Sequence, residues 1–400
     1  MTFPSDREAK RRVLLDAVES VREVVVATAD ESEARGDLAP AAVRAIEDAK
    51  LWAMKLPAEL GGAEADPVTQ FEVIERMAYY DSSAGWATMI GATSIGWMGA
   101  FLPDAAVAQI FANGRIPRAA GGGAVPTGTV TRIEGGYLLT GTFGFVSGIP
   151  HSEWVLTSAV VPHEGEPPPG LPPEVRFFVS RTTDVKILDD WHVAGLKGSG
   201  SNSYATDNLF VPAAFTFNRL DQQQGRPQRG GPIFRMGMPG FVMNEHAAFI
   251  IGCARRSLDL IIEYARTKRR GFAQTIVADR QVFQRAVGEA DFRLRAARLM
   301  CLDVFEGAWQ CVSGGGQPDF ALTTEMRAAA TYATEVAVDV TTMALRYAGG
   351  SAISDKNLLQ RYWRDANAAA QHQGVSDSSY ETHGQVLLGL VDGPPATDRR

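Results

Sequence analysis

Three cysteines in 400 residues, Cys253, Cys301 and Cys311, form no CxxC pair and leave an odd count. That excludes a disulfide framework and predicts reduced, buried thiols in a cytoplasmic chain. Histidine is also scarce: His151, His163, His192, His246, His372 and His383 fall at no HExxH or comparable ligand spacing, so no metal site is expected. Long apolar runs are missing. The segment Ala247 to Ala254 is too short to cross a bilayer and meets Arg255-Arg256 at once, and Met1 to Arg11 lacks the apolar centre of a secretion signal. Positive charge is short as well: 39 Lys and Arg against 46 Asp and Glu give a net charge of -7, with no basic stripe. A nucleic-acid partner is thereby excluded, and no membrane partner is expected. No GxGxxG run opens a βαβ unit, which excludes a built-in dinucleotide-binding module, and no repeat of fixed period appears.

What remains is ordinary globular material, 45% hydrophobic, 21% charged and 9% aromatic, long enough for two or three domains. From Ser5 to about Leu102 apolar residues recur at three- and four-residue steps, as in Val13, Leu14, Ala17, Val18 and Val21, which predicts helices. Asp81-Ser82-Ser83 reads as an N-cap cluster for a helix over Ala84 to Met98. Near Pro117 the texture turns to short β-rich runs between glycines, such as Gly136 to Thr140, Trp154 to Thr157 and Val175 to Val179. The Pro-rich run Glu166 to Pro173 can be neither helix nor central strand and reads as an exposed connection. Asp221 to Pro232 is rich in breakers, and beyond it the helical period returns. Phe249, Cys253, Leu258 and Ile261 mark one face, and Met326, Ala330, Ala333, Ala337 and Ala344 another that permits close helix packing. The expected fold is α+β, mostly α: a helical domain over residues 1–116, an antiparallel β-barrel-like domain over 117–221, and a helical bundle over 232–400.

The chemistry-bearing residues gather near the end. Gln360-Arg361-Tyr362-Trp363-Arg364-Asp365 leads to His372 and Gly374, and Arg361, Asp365, Ala368 and His372 share one stripe of a 3.6-residue period. A helix C-terminus favours the protonated form of an imidazole, so His372 is expected to be a ready proton acceptor; a capping histidine is the plainer role of such a position. Gly198-Ser199-Gly200-Ser201-Asn202 offers amides and hydroxyls in a turn, suited either to an anionic or flavin ligand or simply to joining two strands. Arg269 and Arg270 suit a pyrophosphate or a solvated basic turn. Trp86, Trp97, Trp154 and Trp191 suit the core, with Trp97 also placed where a pocket could open.

Several strings, in order, resemble the acyl-CoA dehydrogenase superfamily. Pro57-Ala58-Glu59-Leu60-Gly61-Gly62 is similar to its P-x-E-x-G-G loop and Asp81-Ser82-Ser83-Ala84-Gly85-Trp86 to its D-x-S-x-x-W segment. Gly195-Leu196-Lys197-Gly198-Ser199-Gly200 with Val211-Pro212, and Arg269, Phe272 and Gln281, resemble further family motifs. A narrower resemblance, carried by Phe145-Val146-Ser147-Gly148 with His151 and Trp154, by Trp191 to Asn202 and by Gln360 to His372, is to the oxygenase components of two-component flavin-dependent monooxygenases, such as hydroxylases of 4-hydroxyphenylacetate and of phenolic steroid catabolites.

The resemblance implies a flavin enzyme that hydroxylates an aromatic or polycyclic small molecule through a C4a-hydroperoxyflavin, using molecular oxygen and reduced FAD, or FMN, from a separate NAD(P)H-flavin reductase. It implies His372 as base and Ser147 as a catalytic hydrogen-bond partner of the flavin. Cofactor contacts would come from Ser147, Gly148, Lys197, Ser199, Ser201, Asn202, Arg269, Phe272, Gln281 and Gly349, and substrate contacts from Trp86, Trp97 and His372. A site shared between subunits implies a homodimer or homotetramer. The parent family's carboxylate position falls on Gln373, whose amide cannot remove a proton. Two alternatives stay open: a dehydrogenase-like enzyme with Glu381, in Tyr380-Glu381-Thr382-His383-Gly384, as base, and a cofactor-free helical assembly protein of the same fold. Departures from the branch include Val146 for its first serine, no histidine in Ser94 to Trp97, and Arg346 before Gly349-Gly350.

Overall fold

The computed structural model describes residues 3–122, 125–163, 165, 173–269 and 274–393. It opens with six α-helices: α1 (Arg7–Ala27), α2 (Ala29–Arg35), α3 (Pro40–Asp48), α4 (Pro67–Tyr80), α5 (Ser82–Phe101) and α6 (Asp104–Ile110). Their starts are chemically marked. Asp6 accepts from the Ala9 N–H, Asp66 from Val68 and Thr69, and Asp81 from Ala84 at 2.7 Å, each satisfying amides that the helix itself leaves unpaired. α1 buries Leu14, Val18, Val21 and Val25 along one stripe, whereas α5 is buried almost all round.

The β region holds two four-stranded sheets, and neither closes into a barrel. One contains β1 (Ala119–Gly121), β4 (Trp154–Val161), β5 (Glu174–Arg181) and β8 (Thr216–Asn218). The other contains β2 (Thr129–Ile133), β3 (Gly136–Phe143), β6 (Lys186–Ile187) and β7 (Tyr204–Pro212). The purely antiparallel expectation needs one correction: β1 runs parallel to β4, because a long excursion through β2 and β3 separates them and no hairpin joins them. Most of the Pro-rich run, 166–172, lies outside the described residues.

The chain then returns to helix: α7 (Arg219–Gln223), α8 (Gly237–Ala265), α9 (Gln281–Ser313), α10 (Phe320–Ala348), α11 (Leu358–Ala369) and α12 (Ser378–Leu387). α7 occupies the start of the breaker-rich segment, since the Asn218 side chain caps it by accepting from Leu220 at 2.8 Å. Small residues let the long helices approach. A Cβ at Gly252 of α8 would sit 2.3 Å from the Glu75 carbonyl of α4, so only glycine fits there. Ala330, Ala333, Ala337 and Ala344 of α10 are fully buried in the bundle, as their spacing predicts.

One ion pair is sealed in the core. Lys55 and Glu245, both without exposed surface, meet at 2.7 Å, with Thr93 donating to the same carboxylate oxygen at 3.0 Å. Lys55 also donates to the Phe241 carbonyl and lies 3.9 Å from that ring's centre. Burial pushes the Lys55 ammonium down and the Glu245 carboxyl up, each opposed by the other's charge. At the surface α9 exposes Val282, Phe292 and Leu299.

Candidate active site

The site is organised around Trp86, one turn into α5 and only 7% exposed. Its indole N–H donates to the Ser147 hydroxyl at 3.0 Å, tying α5 to the β region. Three rings meet it edge to face: Phe249 at 5.2 Å and His246 at 5.9 Å from α8, and His372 at 6.3 Å from the turn after α11. His246 and His372 are 5.3 Å apart, centre to centre. Trp86 is thus both a core residue and a wall that joins Ser147 to two imidazoles.

Ser147 continues a hydroxyl chain, 2.8 Å to Ser201, which lies 2.7 Å from Ser199. The loop that carries Ser147 is laced to its neighbours by backbone bonds. Ser147 N–H donates to the Gly121 carbonyl at 3.2 Å, and Gly148 N–H reaches the carbonyls of Ser199 and Gly200, both at 3.0 Å. Gly148 has φ +79°, which glycine adopts without penalty. Phe145 has φ +56°, a conformation costly for a bulky side chain, and its ring is 78% exposed, edge to face with Trp191 at 6.2 Å. Strain of this kind on an exposed aromatic persists at ligand-holding loops.

Beside it opens a cleft of about 650 Å³ lined by Asp37, Pro150, Leu188, Trp191, Lys197 and Asn202, among others. Asn202 donates to the Leu188 carbonyl at 2.9 Å, and the Lys197 ammonium lies 3.9 Å from a Glu33 oxygen. The Trp191 and His192 rings, the Lys197 ammonium and the Asn202 amide on its lining could hold a flat, polar-tailed heterocycle. Of the turn at Gly198 to Asn202 only Asn202 reaches the cleft lining, while Ser199 and Ser201 are buried in the hydroxyl chain behind it.

His372 departs from its expectation in two ways. It lies beyond the end of α11 and caps the next turn, where its Nδ1 accepts from the Gly374 N–H at 3.1 Å. Its basicity is lowered, first by burial and then by the Arg327 guanidinium, which donates to the carbonyls of Gly374 and Gln373, both at 3.1 Å. Burial thus outweighs any favour from the helix end. The capping role and the site role coexist. The stripe divides too: Arg361 pairs with Asp30 and Glu33, and Asp365 accepts from Ser82 and, at 2.6 Å, from Leu196, so both are structural ties.

Other expected site residues lie elsewhere. Trp97 stacks on Phe241 at 6.0 Å and leans on Phe177 at 5.5 Å, in an aromatic cluster several turns along α5 from Trp86. Exposed Arg269 and Gln281 flank the far end of α8, and Gly349 follows Ala348, whose carbonyl accepts from Tyr264 there at 3.1 Å. At 1.5 Å per residue, that end lies about 28 Å along α8 from His246, so one chain does not bring these residues to the Trp86 wall. Phe272 and Arg270 lie outside the described residues. Glu381 is exposed on α12.

Sequence reasoning missed His246. It is 1% exposed, and its Nε2 has no hydrogen-bond partner among the described residues. The signal was present: His246, Phe249 and Cys253 follow i, i+3, i+7, so this histidine faces the same way as a core stripe.

Family comparison covers both helical parts. The acyl-CoA dehydrogenase N-terminal domain matches residues 8–102, and the acyl-CoA dehydrogenase C-terminal domain matches 245–377. An indole-3-acetate monooxygenase of Pseudomonas putida is 28% identical over 84% of this chain and 83% of its own. The flavin-dependent monooxygenase oxygenase subunit HsaA of Mycobacterium tuberculosis (strain CDC 1551 / Oshkosh) is 24% identical over 98% and 99%. The structure of XiaF from Streptomyces sp. in complex with FADH2 and glycerol superposes with a TM-score of 0.87 at 24% identity, covering 97% of this chain and 98% of that one.

Proposed function

The chain belongs to the acyl-CoA dehydrogenase superfamily, in its branch of oxygenase components of two-component flavin-dependent monooxygenases, and on that premise we propose that it hydroxylates an aromatic or polycyclic small molecule with reduced flavin delivered by a separate reductase. The observation that carries this reading is the pair of imidazoles that meet Trp86 beside Ser147. A dehydrogenase needs a carboxylate facing the flavin, and the candidate offered by the sequence motif, Glu381, is exposed on α12.

A bound reduced flavin supplies the electrons that activate oxygen. Ser147, Gly148, Lys197, Ser199, Ser201 and Asn202 would hold its ring side, while Arg269, Phe272, Gln281 and Gly349 would serve a neighbouring copy, for which the apolar α9 face offers a seam in a homodimer or homotetramer. Reduced FAD is the favoured form, with FMN as the alternative. Ser147 would give the flavin edge a hydroxyl held in register by Trp86 and Ser201. Burial of Trp86, Ser147 and His246 keeps bulk water away from the reacting atoms.

His372 would handle the proton. With Nδ1 accepting from Gly374, the neutral ring carries its hydrogen on Nε2 and offers a donor to the substrate's oxygen. To act as base the ring gives up Gly374 and shifts its hydrogen. The substrate O–H bond then breaks, its electron pair stays on oxygen, and an N–H bond forms on the imidazole. The unpaired thiols of Cys253 and Cys301, both buried, support a reducing cytoplasmic setting.

The test supplies reduced FAD or FMN from an NADH-flavin reductase under ¹⁸O₂, with a panel of phenols and indoles. A product carrying one ¹⁸O, absent without the reductase, is expected. Oxidation of acyl-CoA substrates with no oxygen incorporated into any aromatic would overturn the reading.

A further inference from the structure

Buried polar atoms in folded proteins find a partner in the large majority of cases, and each exception asks for an explanation. The His246 Nε2 is such an exception: it has no partner among the described residues, and its ring is 1% exposed. It is not stranded in featureless core. The ring closes a triangle with Trp86 at 5.9 Å and His372 at 5.3 Å, which are themselves 6.3 Å apart in the site described above. Its neighbour on α8, Glu245, is committed to Lys55, so the two polar residues side by side in the chain serve different purposes. Met243, one turn earlier on α8, fills the space over Gly374, where an added Cβ would lie 2.8 Å from its methyl and 3.0 Å from the His372 Nδ1. An unbranched thioether is the side chain best able to move aside for a ligand.

We propose that His246 is a specificity-determining residue whose unpartnered Nε2 receives a hydroxyl on the ring of the aromatic substrate. This rests on the oxygenase reading and deepens it by naming the substrate class: hydroxyl-bearing aromatics. A hydroxyl suits the position because it both donates and accepts, and so satisfies either tautomer of a neutral imidazole. Burial holds this ring neutral, with the charge of His372 acting in the same direction. The charged groups around the pair leave that picture intact: Arg327 of α10 faces His372, Glu245 is neutralised by Lys55, and Asp365 of α11 is held by Ser82 and Leu196. An aromatic with a methyl group in place of the hydroxyl would leave the nitrogen unsatisfied in a closed site, at a cost that discriminates between the two ligands.

The test compares 2-naphthol with 2-methylnaphthalene, similar in shape, by calorimetric titration of the full chain saturated with oxidised FAD. The wild type is expected to bind 2-naphthol about tenfold or more tightly. His246→Phe should reduce that preference several-fold, leaving the part that His372 supplies, and His246→Gln, which keeps a hydrogen-bonding end, should restore part of the loss. With ¹³C-labelled histidine, 2-naphthol should shift the resonance that disappears in His246→Gln, and 2-methylnaphthalene should not; this readout needs no stable Phe variant. A wild type without the preference, or His246→Phe retaining it undiminished, overturns the proposal. Oxygen transfer plays no part in the measurement. A chain that binds 2-naphthol through His246 yet incorporates no ¹⁸O overturns the oxygenase reading alone.

Discussion

The indole N–H of Trp86 and the hydroxyl of Ser147, 3.0 Å apart, join helix α5 to the β region at the point where two imidazoles converge. Ser147→Ala leaves that buried donor without a partner and cuts the chain to Ser201 and Ser199. Such a loss costs about 1–3 kcal/mol, to be read by denaturant unfolding. The same variant should release more hydrogen peroxide per flavin oxidised. Ser147→Thr, which keeps the hydroxyl, should recover both, and recovery of neither would detach the bond from these effects.

The Lys55–Glu245 pair predicts a non-additive stability cycle. Lys55→Met alone strands a buried carboxylate and should cost about 3–5 kcal/mol. Adding Glu245→Leu removes the stranded charge and should recover most of that loss. Chemical denaturation of the single and double variants decides; a double variant no more stable than Lys55→Met would contradict the account.

Stability should fall as pH drops from about 7.5 to 6. His246 and His372 lie below their ordinary value of 6.5 in the folded chain, chiefly through burial, so in this range the unfolded chain binds protons that the folded chain refuses. Each ring contributes a slope of up to about 1.4 kcal/mol per pH unit. Asp81, pushed up to about 6 by burial, has the opposite sign and favours the folded state as pH falls through that value. The histidine effect is therefore clearest above pH 6. Melting curves of His246→Phe should show a flatter dependence there, and an unchanged slope would remove His246 from the explanation.

Phe145 combines a left-handed backbone with an exposed ring. Phe145→Asn relieves a strain of about 1–2 kcal/mol, since asparagine tolerates that conformation. The variant should melt higher and bind FAD more weakly. Weaker melting with unchanged FAD affinity would show that the ring serves packing, not the cofactor.

Much of the fold was legible because caps and periods are local. Asp81 announced α5, and the alanine stripe announced α10. The parallel β1–β4 pairing was not legible, because strand partners distant in sequence leave no local mark. At the site, Ser147, Trp86 and His372 could be proposed from motifs, but their geometry could not. The lowered basicity of His372 comes from burial beneath other elements and from Arg327 on α10, while its own segment suggested only a helix end. His246 was overlooked because its importance lies in a missing partner, and a missing partner exists only once the surrounding elements are in place.

The most direct test of the central claim, that His372 handles the substrate's proton beside the flavin, is the fraction of reduced flavin converted to ¹⁸O-labelled product by wild type, His372→Ala and His372→Gln from pH 6 to 8. The account predicts a loss of about 10²-fold or more in hydroxylation rate for His372→Ala, with flavin oxidation continuing as hydrogen peroxide release. Hydroxylation at the wild-type rate across that range would contradict it.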